Sequence, residues 1–338
     1  MKKLISLLLA MSILLSFAAC SQRAPEDHPA GPIGHYPVTV TDHAGREVLI
    51  EKEPQRLVSC YYITSSLLMA LDLDEKIVGI EDNPDYRPIY ALSTPRLLDL
   101  PWVGTAKVLD AEGCAALAPD LVILPLRLKD SAEILENLGI DVLLVNPESQ
   151  QLLTEMIRMV AAATNTQQIG EDLISFLETQ EQNLTETLSG VPSPSVYLAG
   201  NSSLLSTAGN AMYQSDLIRL AGGRNVAAQI PDAYWAEIDY EQLLLWNPDY
   251  IILASSAKYT PEDVLADPNL AACTAVANGN VYQIPADAES WDSPVPGSVL
   301  GAIWLANILH PELLTDTDCT AIMNEYYETF YHFTYSQN

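Results

Sequence analysis

Ser255 and Lys258 stand in the S-x-x-K spacing that can pair a serine nucleophile with a lysine. The S-D-N and K-T-G elements that complete such a site are missing, as are G-x-S-x-G, H-E-x-x-H and Walker loops. The pattern therefore carries no expectation of an enzyme. Carboxylates are abundant, with 44 Asp and Glu against 16 Lys and Arg and a formal charge of −28, so acids at any chosen spacing mean little. That balance excludes general nucleic-acid binding, which needs a basic surface to neutralise phosphates. The histidines are His28, His35, His43, His310 and His332, and none falls in a loop that follows a predicted strand. A bare transition-metal ion on imidazole ligands is not expected, nor is haem held through His, although a Tyr or Met212 could serve haem as an axial ligand. No resident metal and no cofactor are expected. Cys60, Cys114, Cys273 and Cys319 show no C-x-x-C and read as separate buried thiols, with one disulfide left open for an exported protein.

The chemistry that remains is that of aromatic rings and guanidinium groups. Loops at about 60–66, 82–90, 200–213, 229–235 and 286–297 carry Tyr61, Tyr62, Tyr86, Tyr213, Tyr234, Trp235 and Trp291, with Trp102 close to another loop. Such rings offer broad, rigid contact with a polar tip, which suits a large flat or chelated ligand. Arg87, Arg96, Lys107 and Arg127 (the last in the loop at 125–129) all precede Asp130, whereas only Arg158, Arg219, Arg224 and Lys258 follow it. All four of the early group could present a fork of donors to an anionic ligand from the first lobe, and Arg87 and Arg127 are the candidate ligand-binding residues among them.

These loops need strands to hold them. Apolar runs predict strands at 57–60, 77–80, 121–125 and 142–145, and again at 195–199, 250–254 and 281–284. Helical patterns alternate with them, which places the chain in the α/β class with mostly parallel sheets. An internal repeat divides the elements in two. From Asp110 the chain reads D-A-E-G-C-A-A-L-A-P-D-L-V-I-L, and from Asp239 it reads D-Y-E-Q-L-L-L-W-N-P-D-Y-I-I-L. Each copy predicts a short helix capped by Asp, broken at the Pro, and followed by a buried strand. Such an offset signals duplicated lobes rather than a solenoid. Between them, Ile169, Leu173, Phe176, Leu177, Leu184 and Leu188 predict one long helix from about Asn165 to Leu188. In open α/β sheets ligands bind beyond the carboxyl ends of the strands, so a cleft between the two lobes is the expected site.

The amino terminus is an address. Lys2 and Lys3 precede an apolar run from Leu4 to Ala19 that is short for a membrane span. Ala18-Ala19-Cys20 resembles the lipobox of bacterial lipoproteins, with Phe17 where Leu is usual. The resemblance implies a signal peptide over 1–19, lipidation of Cys20 and anchoring on the extracytoplasmic face of the membrane. Residues 20–36, with Pro25, Pro29, Gly31, Pro32 and Gly34, read as a flexible tether.

The body resembles a known family. The stretches Val38–Val48 (V-T-V-T-D-H-A-G-R-E-V), Pro54–Ser59, A-P-D-L-V-I-L, Leu205–Asn210, Ala221–Ala227 and Trp304–Glu312 are similar to those of substrate-binding proteins of bacterial ABC importers for iron–siderophore, haem and cobalamin. The resemblance spans about residues 37–315. It implies two Rossmann-like lobes joined by a single long helix, with an N-terminal lobe over 37–150, a connecting segment over 151–190 and a C-terminal lobe over 191–338. It further implies a monomer that delivers its ligand to an ABC permease dimer with a cytoplasmic ATPase. The ligand implied is an iron complex, a ferric siderophore first, with a corrinoid or haem as alternatives. Members place an aromatic six residues before the second-lobe Glu, which singles out Trp235. Members also pair one Glu per lobe with permease arginines, which singles out Glu112 and Glu241. Many siderophore binders carry an Arg after the S-P of the late cleft loop; here Ser293–Pro296 reads S-P-V-P, which tells against a strongly anionic ligand.

Overall fold

A two-stranded hairpin, β1 (Val38–Thr41) and β2 (Glu47–Ile50), begins the part of the chain that the computed structural model describes, residues 36–231 and 235–336. The expected signal peptide, Cys20, the expected tether as far as residue 35 and Tyr234 lie outside the described residues. The first lobe continues with β3 (Leu57–Ser59), α1 (Tyr62–Ala70), β4 (Ile77–Gly79), α2 (Pro88–Ser93), the hairpin of β5 (Gly104–Thr105) and β6 (Val108–Leu109), α3 (Ala111–Ala116), β7 (Leu121–Pro125), α4 (Lys129–Glu136) and β8 (Asp141–Val145). Its sheet has the order β4-β3-β7-β8 and every pairing is parallel. The strands are short apolar runs, and β7 is buried along its whole length, as expected for a parallel sheet covered on both faces.

Two helices follow, α5 (Gln150–Thr164) and α6 (Gln167–Thr187). The expected connecting helix is α6, which at 1.5 Å per residue extends about 32 Å. Asn165 separates the pair in the left-handed conformation, φ +62°, which Asn tolerates better than most residues. Gly170 lets the two helices approach closely, since a Cβ there would stand 2.7 Å from Cβ of Ala161.

The second lobe comprises β9 (Ser195–Ala199), β10 (Ser206–Thr207), α7 (Tyr213–Leu220), β11 (Arg224–Asn225), β12 (Ala236–Glu237), α8 (Tyr240–Trp246), β13 (Tyr250–Leu253), α9 (Pro261–Leu265), α10 (Thr274–Asn278), β14 (Val281–Gln283), α11 (Ser298–Leu309) and α12 (Asp316–Phe330). In its sheet β9, β13 and β14 run parallel, β11 joins β9 in parallel, and β10 and β12 form an antiparallel edge. The sheets are thus mostly parallel, as expected.

The sequence repeat is a repeat of structure. Oδ1 of Asp110 accepts from the Gly113 N–H at 3.0 Å, and Oδ1 of Asp239 accepts from the Gln242 N–H at 2.8 Å. Both helices end in a left-handed residue before Pro, Ala118 at φ +47° and Asn247 at φ +44°. Each following Asp then fastens two parts of its lobe. Oδ2 of Asp120 accepts from the N–H groups of Gln55 and Arg56, and Oδ2 of Asp249 accepts from the N–H and hydroxyl of Ser195. The recurring aspartates are therefore cap and fastening residues first.

The last helix does not stay with the second lobe. Just beyond α12, Tyr331 donates to the Ser66 carbonyl at 3.2 Å and His332 meets Asp72 at 2.8 Å, both on the first lobe. Cys60, Cys114, Cys273 and Cys319 are free and buried. No described helix is long and apolar enough to cross a membrane.

Candidate functional site

Tyr62 opens α1, so the strand-to-helix turn after β3 aims its ring beyond the carboxyl edge of the first-lobe sheet. Arg87 stands just before Pro88 at the start of α2; its extended backbone suits a residue preceding proline. The guanidinium carbon lies 3.9 Å from the centre of the Tyr62 ring, a cation–π stack. The lobes meet beside it, where the Ile89 N–H donates to the Ala288 carbonyl at 3.1 Å. A small cavity at this junction is lined by Tyr62, Ser66 and Arg87 from the first lobe and Ser256, Glu289 and Ser290 from the second. A more open first-lobe hollow of about 690 Å³ adjoins it, lined by Tyr61, Tyr62, Glu81, Arg87, Thr105 and Lys107. Tyr62 and Arg87 line both.

Buried acids surround Arg87. Glu81 accepts from Ser65 Oγ at 2.6 Å and from the Tyr90 hydroxyl at 2.5 Å. Asp292 accepts from Ser255 Oγ at 2.6 Å and from the Ser255 N–H at 3.2 Å. Burial raises both carboxyls above the usual range, against these hydrogen bonds and the pull of Arg87. Burial likewise pushes the Tyr62 hydroxyl to about 12, although Ser293 and Arg87 favour its ionised form. Glu148 is raised by burial too, with Arg127 opposing. The cleft floor thus holds more carboxyl than guanidinium groups, and burial raises those carboxyls above their usual range.

The structure sorts the other sequence candidates. Tyr61 is buried edge-on to Tyr62, with centroids 5.6 Å apart, and lines the open hollow. Tyr86 is 80% exposed on the cavity rim, Trp102 is half exposed, and Arg127 is exposed. Trp235 packs on Gly200 at the end of β9, where a Cβ would come 2.9 Å from its ring. Tyr213 and Trp291 need correcting: each is 1% exposed and belongs to the core. The Tyr213 hydroxyl accepts from Gln150 Nε2 at 3.3 Å, and Trp291 Nε1 donates to the Tyr327 hydroxyl at 2.9 Å, so core partners use their polar tips. Sequence reasoning missed Glu81, Glu289 and Asp292. Their signal was positional, because Glu81 follows the buried strand β4 and the other two follow β14, but it was lost among 44 acids.

Glu112 and Glu241 are exposed in the first turns of α3 and α8, where the helix dipole favours an acid. Among the described residues neither has an ion pair. Leu245, 79% exposed, shares a shallow depression with Glu241, and Val108 is exposed on the short hairpin leading into α3.

Residues 57–288 match the sequence profile of the family described as periplasmic binding protein. The chain belongs to that family. This periplasmic binding protein is 25% identical over 361 residues to the molybdate-binding protein MolA of Haemophilus influenzae, covering 98% of each chain. It is 25% identical over 209 residues to the vitamin B12-binding protein of Photorhabdus laumondii, covering 60% of this chain and 71% of the relative. A periplasmic solute-binding protein from Veillonella parvula superposes with a TM-score of 0.79 at 26% identity, covering 89% of this chain and 94% of the other. This binding protein is therefore the extracytoplasmic solute-capturing component of an ABC importer, not an enzyme.

Proposed function

We propose that this binding protein captures a metal chelate of low net charge on Tyr62 and Arg87, a corrinoid ahead of a ferric siderophore or haem. The carrying observation is the Arg87–Tyr62 stack at the lobe junction, ringed by the buried carboxyls of Glu81, Glu289 and Asp292. One guanidinium among several acids suits a ligand that brings little negative charge, and exposed Tyr86 and Trp102 suit a flat face. The likeness to a vitamin B12-binding protein puts the corrinoid first. A second reading, a molybdate-sized oxyanion, draws on the end-to-end likeness to MolA and on Ser256 and Ser290, which line the junction cavity with Arg87. The test is a tryptophan-fluorescence titration with cyanocobalamin, cobinamide, ferric siderophores, haemin and molybdate. Saturable quenching by a chelate is expected. A response to molybdate alone would install the second reading, and a response only to a sugar or amino acid would sink both.

The protein works as a monomer tethered through lipidated Cys20, presenting Glu112 and Glu241 to the two permease subunits. The helix dipole explains an acid at either position, but not the same acid in the same register in both lobes. Rim charges set orientation and association rate, so Glu112→Ala with Glu241→Ala should lower uptake about 10-fold, about 1.4 kcal/mol, and leave ligand affinity unchanged. Uptake and affinity measured on the same double variant check this. Full uptake would leave the dipole as the whole account of these acids.

A further inference from the structure

Among the described residues lining the junction cavity, Glu289 is the carboxylate, and it ties its loop to both α1 and the end of α12. It stands in the loop after β14, and its Oε1 accepts from Ser66 Oγ of α1 at 2.5 Å. The Tyr331 hydroxyl lies 2.8 Å from Ser66 Oγ and 3.4 Å from the same Oε1. From α12, the Tyr327 hydroxyl lies 3.4 Å from Oε2. Gly297 leaves that oxygen its space, since a Cβ there would collide with it. Among the described residues no Lys, Arg or His pairs with Glu289.

The surroundings decide how such a group behaves. From α12 it faces Tyr326, Tyr327 and Tyr331, all held neutral by burial. From α1 it faces only a serine hydroxyl. Across the cavity stands Arg87, already beside Glu81 and Asp292. Its own loop adds only further carboxyl groups, Asp287 and Asp292, and no cation. A buried carboxylate without a cation is costly when ionised, and burial raises this one to about 7. A ligand that closes over the cavity mouth takes away the water still reaching it and makes ionisation costlier.

We propose that Glu289 is a specificity-determining residue that must carry a proton while ligand is bound, so that each capture event at this cleft takes up a proton from solvent. The inference rests on the low-charge-chelate reading. Fixed negative charge under the ligand is thereby removed at neutral pH, and the form competent to bind is the protonated one. Apparent affinity scales with the competent fraction. Binding should therefore weaken about 10-fold between pH 6 and pH 8, because the competent fraction falls from about nine-tenths to about one-tenth.

Calorimetry of the full chain with cyanocobalamin, in two buffers of different ionisation enthalpy at about pH 7.5, counts the protons exchanged. A net uptake is expected, with the 10-fold weakening in the wild type and a flat profile in Glu289→Gln. The proton count on the wild type stands even if the variant folds poorly. Saturable binding without proton uptake, or with the same pH profile in both proteins, overturns the inference and leaves the proposed function standing. No saturable binding by cyanocobalamin or any other chelate of the panel at either pH overturns both.

Discussion

Arg87→Ala is expected to fold normally and to bind its chelate about 100-fold more weakly, a loss of about 2.7 kcal/mol and typical of a central anchor. Arg87 stacks on Tyr62, lines both hollows and is the cation that Glu81 and Asp292 face. Removing it takes away a flat contact surface and the only opposing charge that those two buried carboxyls are shown to feel. Arg87→Lys should recover part of the affinity, since a lysine keeps the charge but lacks the planar face. Calorimetric titration with an unfolding temperature for each variant separates binding from folding. Unchanged binding in Arg87→Ala would reduce the stack to a surface contact.

Asp42→Ala is expected to lower the unfolding free energy by about 3 kcal/mol, a large part of the stability of most domains. The buried Asp42 carboxylate accepts from the N–H groups of Ala44, Arg46 and Leu144, at 2.9, 3.0 and 3.1 Å, and from the Arg46 guanidinium at 2.7 and 2.8 Å. It thereby ties the first hairpin to β8. Burial opposes its ionisation, but the Arg46 side chain and the backbone donors of Arg46 and Leu144 outweigh it and hold the carboxyl below its usual range. The unfolded chain therefore binds this proton more readily than the folded one. The stabilisation is fully present above about pH 4, the ordinary carboxylate value, and is lost as pH falls through the depressed folded value. Urea unfolding of wild type and variant at about pH 7 and about pH 3 should show a gap that narrows with acid. A gap that is constant across that range would mean that Asp42 acts through packing alone.

Much of the fold was legible because its signals are local. The strand runs, the two Asp caps and the long helix α6 each depend on residues within a few positions of one another, and they appear where the sequence places them. Of the site, Tyr62 and Arg87 were legible as an aromatic and a cation on loops beyond strand ends. Tyr213 and Trp291 carry the same signal, yet they point inward. A loop aromatic is read identically whether it faces a cleft or a core, and only the packing of α5 and α12 decides which. The buried acids were illegible for the opposite reason: nothing local distinguishes Glu289 from the other acids. Its partner Ser66 lies 223 residues away. The sequence by itself determined the elements, their duplication and the chemistry of the loops. Which carboxyls are buried without a cation, and which rings reach the ligand, was decided by tertiary structure, because desolvation and facing charge are set by neighbours that only the closed chain brings together.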